Sequence, residues 1–109
     1  MIPEGFDAAV LKRVTAGNEK LALELIALLL SDLPAQHEQL LAASASGARD
    51  DLANVAHYLA GGAAYCGAIE LKQRCVELEN QLHDDKAPRV DKAVDAVFDE
   101  IRRLLTGTT

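Results

Sequence analysis

His57 is followed by Gly61 and Gly62, inside a stretch of apolar residues that repeats at three and four positions. Projected at about 100° per residue, Leu52, Val55, Ala56, Leu59 and Ala63 form one helix face, and His57 points away from it. An exposed imidazole is a nucleophile near neutral pH, because its unperturbed pKa of about 6.5 leaves the neutral form available. Two adjacent glycines inside a helix cost about 1 kcal/mol each relative to alanine. Capping does not explain them, since the pattern continues to Ala63 and Ala64. The combination suits a phosphoryl group carried on a ring nitrogen. Such a group is bulky and carries about two negative charges, and a glycine one turn away leaves room for it and for a docking partner. The plain alternative is a surface histidine with no role.

The segments around this turn read as five helices. The first covers about residues 7–15, with Asp7 as N-cap and Gly17 beyond its end. The second opens near Asn18 and runs to about Ala45. Pro34 lies inside it and predicts a kink or a break. Its apolar stripe is Leu21, Leu25, Leu28, Leu29, Leu33, Leu40 and Leu41, widened by Leu23, Ile26 and Leu30. Residues 44–50 read as a loop, and the third helix starts at Asp50 or Asp51. Gly67 marks the next turn. The fourth helix carries Ala68, Leu71, Cys75, Leu78 and Leu82. Residues 83–87 form another loop, and Pro88 suits the start of a fifth helix carrying Val90, Val94, Val97, Ile101 and Leu104. Short connections between long amphipathic helices predict an all-α, antiparallel up-down four-helix bundle with a short additional N-terminal helix. Residues 1–109 then make one domain.

Composition agrees. Alanine and leucine fill 36 of 109 positions, against 7 Gly, 3 Pro and 4 aromatic residues, which favours helices over a sandwich or barrel. A net charge of −6 makes nucleic acid and anionic membrane surfaces poor partners. The most apolar run, residues 21–30, contains Glu24 and is too short to span a bilayer, which takes about 20 apolar residues. No signal peptide is visible. Cys66 and Cys75 lack a Cys-x-x-Cys context and read as buried reduced thiols of a cytoplasmic protein.

The stretch His57-Tyr58-Leu59-Ala60-Gly61-Gly62-Ala63-Ala64-Tyr65-Cys66-Gly67-Ala68, followed by Leu71, Cys75, Leu78 and Glu79, resembles the histidine-containing phosphotransfer (HPt) domain of multistep phosphorelays. The Gly-Gly-Ala-Ala-Tyr-Cys-Gly version is most similar to the C-terminal HPt domains of BarA/GacS-type hybrid sensor kinases. The resemblance implies a phosphocarrier in a two-component system. His57 would be the phosphoacceptor, taking the group from a receiver-domain aspartate and passing it to another. Gly61 and Gly62 would give the phosphoryl group clearance. Response-regulator receiver domains would be the partners, and Mg²⁺ would sit on the receiver, leaving this chain without a cofactor or metal of its own. A monomeric domain is expected, with no direct membrane contact, free-standing or as the cytoplasmic C-terminal part of an inner-membrane sensor kinase.

One position departs from the family pattern, which keeps lysine where this chain has Ala60. If the third and fourth helices are antiparallel about Gly67, Glu79 lies level with His57 and could orient the imidazole; a solvated helix flank is the alternative. Arg74 could stand in for the missing lysine. Tyr58 is expected at the rim of the docking patch, with Gln36, Gln39 and Ala43 lining it from the second helix. His37 and His83 read as surface residues. No Glu-x-x-His pair and no glycine-rich phosphate loop is present, so neither a di-metal bundle nor self-phosphorylation from ATP is expected. The rival function is a helical adaptor or regulatory domain that binds a receiver or kinase without carrying phosphate.

Overall fold

The structure is a computed structural model; it describes residues 2–84 and 90–107. Five helices follow in order: α1 (Ala8–Val14), α2 (Glu19–Ser46), α3 (Arg49–Cys66), α4 (Ile69–His83) and α5 (Asp91–Thr106), with no strand among the described residues. Around the bundle α2 packs on α3, α3 on α4, α4 on α5, and α5 returns to α2, while α1 lies against α2 and α3. This is the expected four-helix bundle with its extra N-terminal helix. The proposed start of α5 at Pro88 and most of the 83–87 loop fall outside the described residues; α5 itself begins at Asp91, after Val90.

Local chemistry sets the helix ends. The Asp7 side chain accepts from the Ala9 and Val10 amides, and that of Asn18 accepts from the Leu21 amide, satisfying donors that have no partner within the helix. The α2–α3 connection is shorter than residues 44–50: α2 runs through Ser46, Gly47 takes the left-handed conformation (φ 70°), and α3 begins at Arg49. Gly67 closes α3 at φ 72°, and a Cβ there would lie 2.7 Å from the Asp7 carbonyl oxygen. Glycine is therefore required twice over, by backbone conformation and by the close approach of the N-terminal segment, whose Asp7 amide donates to the Gly67 carbonyl at 2.7 Å.

Pro34 neither breaks α2 nor ends it. Leu33 and Leu40, on either side of it, are fully buried in one core, and their packing outweighs the one hydrogen bond that proline forfeits. The buried series of α2 is Ala22, Ile26, Leu29, Leu33, Gln36, Leu40 and Ala43. This corrects the leucine stripe, because Leu21, Leu28 and Leu41 are exposed. Alanine, isoleucine and glutamine share the core face with Leu29, Leu33 and Leu40, so only part of the leucine stripe lies in the helix's buried phase.

The described core also holds Glu100, at 0% exposure. Its two carboxylate oxygens accept from Arg103 Nε, at 2.7 Å, and from the same guanidinium's terminal nitrogen. That pairing allows a carboxylate inside a bundle and raises the Arg103 pKa.

Candidate functional site

His57 stands on the outer face of α3, its side chain 83% exposed, with Nδ1 3.2 Å from Oε2 of Glu79 on α4. An ionised carboxylate only accepts hydrogen bonds, so the contact places the proton on Nδ1 and leaves the Nε2 lone pair free. Glu79 is the more enclosed partner, at 19% exposure. It is held by α4, whose Cys75, Leu78 and Leu82 are buried on the inner face. The antiparallel pairing of α3 and α4 about Gly67 thus brings together an exposed nucleophile and a fixed acceptor.

The two glycines face different neighbours. A Cβ at Gly61 would meet nothing within 4 Å. Internal packing makes no demand for glycine there, and the space beside His57 is open to solvent. A Cβ at Gly62 would rest 3.6 Å from Leu29 Cδ1, so Gly62 turns toward α2 rather than toward the imidazole. Ala60, at the position where the resembled pattern has lysine, is buried.

Arg74 does not stand in for that lysine. Its Nε donates to Glu70 at 2.9 Å and its terminal nitrogen to the Ala96 carbonyl of α5 at 2.8 Å, so it braces the other side of α4. Gln36 is not a docking residue, because the phase of α2 buries it at 8% exposure. Gln39 is exposed and lines a shallow cleft with Ala43, Asp51 and Asn54, on the N-terminal side of His57 along α3. His37 is half-buried against the Phe98 ring, with centroids 4.7 Å apart, whereas His83 is exposed at the end of α4.

Tyr58 is exposed, and its hydroxyl donates to Asp32 Oδ2 on α2 at 2.8 Å. That bond to a carboxylate, and the carboxylate's charge, raise the phenol pKa. Asp32 had no signal in the sequence beyond its place on α2. Both cysteines are free and buried. Burial raises the Cys66 pKa, and burial together with the Glu79 charge pushes that of Cys75 up to about 12, so both are packing thiols.

No cluster of three or more His, Cys, Asp or Glu that could hold a metal occurs among the described residues. No helix among them is long and apolar enough to cross a membrane.

A family model described as "Hpt domain" matches residues 24–107. The sensor histidine kinase GacS of Pseudomonas protegens is 34% identical over 92 residues, covering 84% of this chain and 10% of that protein. The sensor protein GacS of Pseudomonas syringae pv. syringae is 33% identical over 92 residues, with the same coverage of 84% and 10%. The chain therefore spans about a tenth of the length of these curated relatives. Two solved structures share the fold. The HPT domain of a sensor hybrid histidine kinase from Shewanella has TM-score 0.83 at 21% identity, over 94% of this chain and 88% of that one. Histidine-containing phosphotransfer protein B from Pseudomonas aeruginosa PAO1 has TM-score 0.79 at 23% identity, over 94% and 90%.

Proposed function

Because the chain belongs to the Hpt domain family, the phosphotransfer modules of two-component phosphorelays, we propose that His57 is its phosphoacceptor. Hpt domains in phosphorelays interact with receiver domains. A receiver carrying an aspartyl phosphate docks on the outer face of α3. Nε2 of His57 attacks the phosphorus in line; the P–N bond forms as the bond to the aspartyl oxygen breaks, and the aspartate leaves as carboxylate. The reverse step, onto the aspartate of a second receiver, regenerates the free imidazole.

Each residue of this chain has a limited task. Glu79 holds Nδ1–H, fixes the ring, and stabilises the positive charge that grows on the imidazole as Nε2 bonds to phosphorus. Gly61 leaves space for the phosphoryl oxygens. Tyr58 and Gln39 lie on the partner side of α3 and α2. Magnesium belongs to the receiver, where it neutralises phosphoryl charge. The domain is a carrier without an ATP site of its own, working as a monomer on the cytoplasmic side.

The observation that carries this reading is the exposed His57 ring anchored through Nδ1 at 3.2 Å, which leaves Nε2 toward solvent. The test incubates the domain with a ³²P-phosphorylated receiver and Mg²⁺. Acid-labile, base-stable label that is lost in His57→Gln supports the carrier. Equal label in His57→Gln would remove His57 as the acceptor, and no label would support an adaptor that binds without carrying phosphate.

A further inference from the structure

A phosphoryl group adds about two negative charges to the histidine that accepts it, and the charges around that histidine decide how firmly the group is held. Between Lys20 and Lys72 the chain has one Lys or Arg, Arg49, against six carboxylates, Glu24, Asp32, Glu38, Asp50, Asp51 and Glu70. That span supplies all of α3 and nearly all of α2. Arg49 is committed elsewhere. It stands about 12 Å before His57 along α3, and its terminal nitrogen donates to the Gln81 and Leu82 carbonyls at 3.4 and 3.0 Å. Lys20 stands about 18 Å along α2 from Asp32, the carboxylate that meets Tyr58. Lys72 precedes Glu79 by about 10 Å on α4, and helix side chains lean toward the N-terminus, here away from Glu79. Arg74 is held by Glu70 and the Ala96 carbonyl. The cations of α5 belong to a helix that packs on α4 and α2, across the bundle from α3. Lys12 and Arg13 end α1, whose N-cap Asp7 bonds Gly67, about 15 Å beyond His57 along α3. Among the described residues, His57 thus has carboxylates around it and no ammonium or guanidinium directed at it.

We propose that this chain carries its phosphoryl group without a cation of its own and therefore passes the group on rather than storing it: at equilibrium with a receiver, the group rests mainly on the receiver. The inference rests on the carrier reading and adds a direction to it. Transfer creates one positive charge, on the ring as Nε2 bonds to phosphorus, and the Nδ1 proton brings that charge to Glu79, 3.2 Å away. The phosphoryl oxygens are left to water. In the receiver the same group sits beside Mg²⁺; on His57 it faces a chain already at −6. The carboxylates of α2 and α3 all add repulsion, screened by solvent but of one sign. Transfer onto His57 is therefore the uphill step and transfer off it the downhill one. The phosphorylated domain stays sparsely populated whenever a receiver aspartate is free.

The test mixes equal amounts of the domain and a ³²P-phosphorylated receiver with Mg²⁺ in low salt, at about pH 8, where an ordinary imidazole is neutral. It reads the plateau ratio of label on His57 to label on the receiver. Wild type is expected to hold the smaller share. Ala60→Lys and Ala64→Lys place an ammonium one and two turns after His57, leaning back toward it. Each is expected to raise the ratio about threefold, the effect of a unit charge about 8 Å from a dianion in water. The gain should fall below about twofold in 0.5 M salt. Ala60→Met and Ala64→Gln, of similar length but uncharged, should leave the ratio where it is. Circular dichroism checks that each variant is folded, and Ala64→Lys, at a half-buried position, stands in should Ala60→Lys unfold. Label resting mainly on wild-type His57, or a ratio unmoved by the added lysines, overturns the inference and leaves the carrier standing. A threefold fall in Lys86→Gln or Arg89→Gln, outside the described residues, also overturns it, by locating a cation there. No label on wild type even with the phosphorylated receiver in large excess overturns the carrier reading instead.

Discussion

Nδ1 of His57 and Oε2 of Glu79 lie 3.2 Å apart across the α3–α4 seam, joining residues 22 positions apart in the chain. Glu79→Ala should slow phosphoryl transfer while leaving the bundle intact. A hydrogen bond to a charged group is worth about 1.5–3 kcal/mol, so the loss is roughly 10- to 100-fold in rate. Glu79→Gln keeps an acceptor oxygen and should fall between wild type and alanine. Rapid-quench kinetics with one receiver donor measures all three, and equal rates would remove Glu79 from the mechanism.

Gly61 separates folding from function. A methyl group there meets nothing within 4 Å, so Gly61→Ala should stabilise the bundle by about 0.5–1 kcal/mol in urea unfolding. Gly61→Val should remain folded yet transfer more slowly than wild type by at least tenfold, about 1.4 kcal/mol in barrier. Unchanged transfer in Gly61→Val would refute the clearance role.

Gly67 behaves in the opposite way. With φ at 72° and the Asp7 carbonyl oxygen 2.7 Å from a built Cβ, Gly67→Ala should lose more than about 1 kcal/mol of stability. Chemical denaturation checks it, and a neutral or stabilising result would contradict the close approach.

Cys75 links burial to pH. Its pKa rises from an ordinary 9.0 to about 12, chiefly through burial. The folded state therefore holds its proton where the unfolded chain releases it, and stability should decline as pH climbs from about 9 toward 12. Cys75→Ala should remove that part of the slope. In the folded domain iodoacetamide should leave Cys75 unmodified at pH 8.5 and modify it once urea unfolds the chain; mass spectrometry distinguishes the two.

Much of this site was legible from local pattern. His57 stood out because its helix face is defined by five apolar neighbours, and Glu79 followed from antiparallel pairing about Gly67. Residues whose placement depends on a neighbouring helix were not legible. Gln36 is buried because it falls between Leu33 and Leu40 in the buried phase of α2, where a polar residue gives no hydrophobic signal. The same phase exposes Leu28 beside Tyr58. Arg74 offered a plausible cation by type and level, but a carbonyl on α5 claims it. Asp32 carries no motif; only the approach of α3 to α2 gives it Tyr58 as a partner.

The central claim is that Glu79 holds one nitrogen of His57 so that the other accepts phosphate. The most direct test phosphorylates the domain with a receiver and Mg²⁺, then identifies the modified atom by ¹⁵N-histidine and ³¹P NMR, with His57→Gln as control. The predicted result is phosphorus on Nε2 of His57 alone, with Nδ1 still protonated. Phosphorus on Nδ1 of His57, on His37 or His83, or on no histidine would contradict the account.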